Sequence, residues 1–196
     1  MERFALFIDQ ISIFVGKLFA WCVVLLTGVV CYEVFMRYVM RSPTGWAYDA
    51  GYILYGALFI MAGAYALSAV AHVRADVLYR LFPVRVQAGL DLTLFIVFFA
   101  PAVAGLMYAG YMFAETSWAI RERSPYSPAG PPLYHFKSLI PLAGFFLALQ
   151  GLAEIARCIL ALWTGRWPRR TDDSAKDLAD DPDALLKAVQ PVGKNT

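Results

Sequence analysis

The sequence predicts an all-α integral membrane protein that crosses the bilayer four times, with both termini in the cytoplasm. Of its 196 residues, 60% are hydrophobic and only 16% are charged, a composition typical of membrane proteins. Two uncharged runs, 50–71 and 92–114, are each long enough for a helix rising ~1.5 Å per residue to cross a ~30 Å hydrocarbon core. The polar segment 72–91 separates the two runs, so the chain must turn between them.

Two further spans complete the predicted membrane domain, which covers residues 1–165. The first crosses at about 17–36 and the fourth at about 138–163. Residues 4–15 are interpreted as an amphipathic lead-in to the first span, and Pro101 and Pro141 suggest kinks in the third and fourth spans. Residues 166–196 hold six basic and six acidic residues without apolar periodicity, which predicts a mobile cytoplasmic tail.

The distribution of basic residues favours a cytoplasmic position for both termini. With the N-terminus inside, and counting as far as residue 170, eight lysines and arginines fall on the inner segments and five on the outer loops. Membrane proteins retain such an excess of basic residues on the cytoplasmic side. Trp46 then lies at the outer boundary before the second span, where amphipathic rings prefer the headgroup level.

No arrangement of residues in the sequence points to catalysis or to a nucleic-acid partner. The three cysteines form no C-x-x-C pair, and there is neither a Gly-rich phosphate loop nor a nucleophile motif. The two histidines, His72 and His135, are predicted at opposite membrane faces, so they cannot ligate one haem or complete a zinc site. We therefore expect no enzyme, cofactor or metal; a membrane anchor of a redox enzyme complex is the alternative.

Charged residues inside the predicted spans mark places where a helix contacts something polar, because charge at membrane depth is costly. Glu33 and Arg37, at i and i+4 near the outer end of the first span, form either a self-neutralising pair or a docking point for another protein. Gln150, Glu154 and Arg157 share one stripe of the fourth span. For this stripe, pairing within the chain and contact with a partner are equally open.

The segment 72–82 has the pattern of a short interfacial amphipathic helix that ends before Pro83. Its polar face carries His72, Asp76 and Arg80, opposite a face of apolar residues. Arg74 projects from the middle of the apolar face. It is therefore expected either to snorkel to a lipid phosphate or to pair with a carboxylate such as Glu154 near the same membrane face.

Three stretches at the predicted membrane boundaries carry motifs of one membrane-protein family. The first, EVFMRYVMRSPTGWAYDAGYILY, ends span one with Arg37 and opens span two with Trp46 and Asp49. The second is AYALSAVAHVRADVLYRLF, and the third, SWAIRERSPYSPAGPPLYHFKSLIPLAGFFLALQGLAE, contains K-x-x-I-P-L…L-Q-G from Lys137 onward. Together they resemble the small membrane subunit, of the DctQ type, of tripartite ATP-independent periplasmic (TRAP) transporters. That family more often has Glu where Asp49 stands and Val where Ala75 stands.

The resemblance covers about residues 8–165 and implies a role without catalysis. It implies that the chain binds a large multi-span subunit, which carries the substrate and sodium sites and moves as an elevator. The small subunit widens the scaffold against which that elevator slides, among the lipids of the bacterial inner membrane. A periplasmic substrate-binding protein delivers the solute, typically an organic acid. All of this is what the family implies, since a likeness of sequence does not by itself establish a function.

Arg74 supplies the first prediction, because a cation in the middle of an apolar face needs a specific contact. We expect Arg74→Ala to weaken the stability or assembly of the protein more than Arg123→Ala, which removes a cation from the outer loop. Thermal unfolding in detergent and the yield of assembled complex measure the two effects. Equal effects of the two substitutions would contradict the role given to Arg74.

Overall fold

Four long helical stretches form the membrane domain in the computed structural model, which describes residues 2–69, 82–127 and 130–168. Each stretch is long and apolar enough to span a membrane, which confirms the all-helical class and the four spans. The elements in chain order are α1 (Glu2–Tyr38), α2 (Ala47–Ser68), α3 (Val84–Leu94), α4 (Ala100–Ala119), α5 (Tyr134–Lys137) and α6 (Leu139–Thr164). Within the described residues the only β-pairing is an isolated bridge between Arg123 and Pro132.

Helix α1 is much longer than the first span predicted from the sequence. It begins at Glu2 rather than near residue 17, and its 37 residues extend about 55 Å. The interpretation of residues 4–15 as an amphipathic lead-in needs correction, because Asp9 and Ser12 are buried against the protein while Phe7 and Phe14 are exposed. The polar side of this stretch faces other helices, as expected where the surroundings are hydrocarbon rather than water.

Both prolines that suggested kinks lie beside a departure from α-helical geometry. Pro101 has no N–H, and in a regular helix its ring would clash with the carbonyl of Val97. The chain accommodates it in a π-helical turn, Phe95–Phe99, which joins α3 to α4 and in which the Ala100 N–H donates to the Phe95 carbonyl. Pro141 lies in the first turn of α6, where backbone N–H groups have no helical acceptor in any case.

Helix α6 is central to the packing of the domain. It contacts α1, α2, α3 and α4, whereas α1 packs mainly against α2. Small residues allow the close approach between α4 and α6: a Cβ on Gly110 would lie 2.9 Å from the Ile140 side chain, and one on Gly151 would overlap the ring of Phe99.

The interior of the domain is polar rather than apolar. The largest fully buried side chains include Arg157, Gln150, Glu154, Asp9 and Asp49. Bulky apolar side chains instead cover the outside of the helices. This arrangement suits a protein in a bilayer, because polar groups in the spans must find partners inside the protein.

Candidate functional site

A buried hydrogen-bonded network joins the N-terminal part of α1 to α6. Arg157 donates from Nη2 to Oδ2 of Asp9, and from Nη1 to Oε1 of Glu154 at 2.6 Å. Gln150 donates from Nε2 to Oδ1 of Asp9 at 2.9 Å and accepts a hydrogen bond from Ser12 Oγ at 2.7 Å. None of the five side chains is more than 2% exposed. The network therefore closes contacts between opposite ends of the chain in a site from which water is excluded.

Helical periodicity brings these residues together. Asp9 and Ser12 are three residues apart and so lie on one side of α1, facing the stripe of Gln150, Glu154 and Arg157 on α6. The sequence left open whether this stripe meets a partner protein or the chain itself. In the structure all three of its residues make hydrogen bonds within the chain.

Several predicted contact residues lie outside the part of the chain that the structure describes. These are His72, Arg74, Asp76 and Arg80, together with the interfacial helix that was predicted to hold them. The pairing of Arg74 with Glu154 therefore stays a prediction. The tail beyond residue 168 also lies outside the described residues.

At the opposite end of the domain, here called the turn end, lie the connections 39–46 and 120–133. Glu33 accepts hydrogen bonds from Arg37 Nη2 at 2.7 Å and from the backbone N–H of Thr44 at 3.1 Å. The Thr44 hydroxyl donates to the same carboxylate. Trp46 stacks on Tyr32 with ring centroids 5.9 Å apart. Glu33 thus both pairs with Arg37 on its own helix and fastens the connection that follows.

Asp49 ties the start of α2 to the connection 120–133. Its carboxylate is fully buried, and Ser124 Oγ donates to Oδ1 at 2.5 Å. Oδ2 has no hydrogen-bond partner among the described residues. The acid that the sequence placed at the opening of span two therefore acts in the packing of the turn end.

Lys137 closes the same connection from the other side. Its Nζ donates to Oε2 of Glu122, which also accepts from Ser117 Oγ at 2.7 Å, and it lies 3.9 Å from the centroid of the Phe113 ring. The hydrogen bond from Lys137, with a smaller contribution from Ser117, lowers the pKa of the Glu122 carboxyl below its ordinary value of 4.5. The two ends of the connection are therefore held together by charge.

Sequence reasoning missed Asp9, Ser12, Glu122 and Ser124, which are the intramolecular partners of the predicted residues. A signal for Asp9 was present, since it is the only charged residue in the apolar run FALFIDQISIFV. An acid in such surroundings needs a polar partner, and the serine three residues later marks the side of the helix that has one.

The described residues contain no group of three or more His, Cys, Asp or Glu side chains that could hold a metal ion. His135 packs against the rings of Trp118 and Tyr134. A groove of about 380 Å³ opens between α1 and α2, lined by Glu33, Arg37 and apolar or aromatic residues. The chemistry on display in the described residues is that of helix fastening.

Breaking the buried network should destabilise the protein strongly. Arg157→Met leaves two carboxylates buried without their guanidinium, which we expect to cost about 3–5 kcal/mol. Arg37→Met removes an arginine whose side chain is 58% exposed and should have little effect on the same measurement. Equilibrium unfolding of the purified chain in mixed micelles gives both values. Similar losses for the two variants would contradict the structural weight given to the network.

The lowered pKa of Glu122 predicts an acid-dependent loss of stability. The contact with Lys137 is fully stabilising above the ordinary pKa of 4.5 and is lost as the pH falls through the lower pKa of the folded state. Wild type should therefore unfold at a higher temperature than Glu122→Gln at pH 7, and the difference should shrink below pH 4.5. Glu115→Gln, at an exposed position on α4, is the matched control. A difference that does not change with pH would contradict the prediction.

The comparisons with known proteins agree with this four-helix architecture. Residues 26–161 match the family model described as "Tripartite ATP-independent periplasmic transporters, DctQ component". No curated protein is similar enough to the chain to count as a relative. The match spans more than half of the chain, includes α2, α3, α4 and α5, and ends within α6. The chain therefore belongs to the DctQ family, the small membrane component of TRAP transporters.

Proposed function

We propose that the chain is the non-catalytic small permease subunit of a sodium-coupled TRAP transporter. In this role it scaffolds a large elevator subunit, which carries the sodium and substrate sites. The transported solute is an organic acid or a related compound delivered by a periplasmic binding protein. The family match over residues 26–161 is the observation that carries the proposal.

The geometry supports a scaffold rather than a carrier. Asp9, Glu154 and Arg157 are buried and bind one another across two helices, and Asp49 is held by Ser124 from a different element. A solute site requires a few convergent polar groups that face a cavity. The buried charges of the described residues instead fasten one helix or connection to another, which suits a part that stays fixed while its partner moves.

We further infer that both termini are cytoplasmic and that the membrane is the bacterial inner membrane. The excess of basic residues on the segments at the chain ends supports this orientation. It directs the turn end to the periplasm, the side from which a solute-binding protein approaches. The structure's even number of spans is compatible with both termini on one side.

Reconstitution into liposomes tests the proposal. We expect sodium-driven uptake only when the chain, the large subunit encoded with it and the binding protein are all present, because the transport sites lie on the large subunit. Uptake by liposomes that hold this chain alone, or full uptake by the large subunit without it, would overturn the proposal. A haem-like visible spectrum of the purified chain would instead support the alternative of a redox anchor, which the family match does not favour.

A further inference from the structure

A stripe of bulky apolar side chains runs along the outward side of the N-terminal part of α1. Each side chain in it is between 55% and 68% exposed, although α1 packs against α2 and α6 on its other side. This outer stripe consists of Phe4, Phe7, Phe14, Leu18, Trp21 and Leu25.

The spacing of the outer stripe is that of a helix–helix packing seam. Its members follow one another at intervals of three, four or seven residues, with Ile11 at the intervening position between Phe7 and Phe14. The mean interval is 3.5 residues, the repeat that keeps one seam of a helix against a partner helix in left-handed packing. Contact with fluid lipid imposes no such repeat.

Polar residues flank the outer stripe at a constant position. Arg3, Gln10 and Lys17 are exposed, and each follows the previous one by seven residues. In helix pairs of this geometry, flanking residues choose the partner through charge. The only acid in residues 3–25 is Asp9, which is buried in the network with Arg157. The flank is therefore cationic and complements an acidic partner.

The length of α1 also indicates a partner beyond the bilayer core. At about 55 Å, α1 exceeds the ~30 Å hydrocarbon thickness by far, whereas the 22 residues of α2 span about 33 Å. Phe4 and Phe7 lie at the extreme of this excess and are still exposed. The region matched by the family model begins only at residue 26, after the whole outer stripe.

We propose that the outer stripe docks a long helix of the large membrane subunit, which places acidic residues opposite Arg3 and Lys17. This inference rests on the proposed function and names the surface that carries out the scaffolding. A second copy of the chain is a poorer occupant, because two such stripes would bring cationic flanks together without an exposed acid to neutralise them.

Photo-crosslinking in native membranes tests the docking surface. The photoreactive residue p-benzoylphenylalanine replaces Phe14 or Trp21 on the outer stripe, and Phe98 as the control. Phe98 is 67% exposed but lies in the π-helical turn between α3 and α4. With the large subunit co-expressed, we expect a crosslink to it from positions 14 and 21 and none from position 98.

Co-purification provides the second measurement. Phe14→Ala combined with Leu18→Ala should reduce the large subunit recovered with the chain by about tenfold or more, as expected for anchors at the centre of an interface. Phe98→Ala should leave the recovery unchanged. Lys17→Glu should also lower recovery, because it faces like charge on the partner.

Each outcome decides between the two proposals. If the unaltered chain does not recover the large subunit, the proposed function itself fails. If the unaltered chain does recover it, the docking surface alone is overturned by any of three results: crosslinks from positions 14 and 21 to lipid only, crosslinks to a second copy of the chain, or crosslinks of equal yield from position 98.

Discussion

The contact between Arg157 on α6 and Asp9 on α1 is the constraint on which the rest of the domain depends. Lipid gives apolar helices no hydrophobic reason to associate, so hydrogen bonds and close packing decide which sides of the helices meet. Arg157 is 1% exposed and has carboxylate partners on both terminal nitrogens. A buried ion pair adds little net stability compared with apolar packing, but removing one member is severe. We infer that the network selects one arrangement of α1 on α6.

The polar contacts of the turn end complete what the network begins. They act over shorter sequence distances: Thr44 returns to Glu33, and Lys137 returns to Glu122 across a single connection. Ser124 reaches further, to Asp49 at the start of α2. The helices are thus fastened to one another at the turn end by loop contacts and deeper in the bundle by side chains of the spans. Such double fastening makes the bundle a frame, and it agrees with a subunit that remains fixed.

The sequence was sufficient for the number of helices but not for their partners. Uncharged runs of span length predict helices directly, because in hydrocarbon the backbone must satisfy its own hydrogen bonds. The start of α1 was missed because Asp9 and Lys17 interrupt its hydropathy, and only the packing shows that Asp9 is buried against α6. The polar stripe of α6 was recognised from its spacing. That it meets Asp9 and Ser12 depends on contacts between residues 138 or more positions apart, which periodicity does not specify.

The network and the outer stripe of α1 are linked by helix geometry. Phe7 and Phe14 lie two residues from Asp9 and Ser12, which is about 200° around a helix of 3.6 residues per turn. Side chains placed in this way point in nearly opposite directions, so the ion pair to Arg157 directs the stripe away from the bundle. A slip of α1 by one residue would rotate the stripe by about 100° and separate Asp9 from Arg157. Internal charge pairing therefore sets the direction in which the chain presents its apolar surface, although none of the paired charges belongs to that surface.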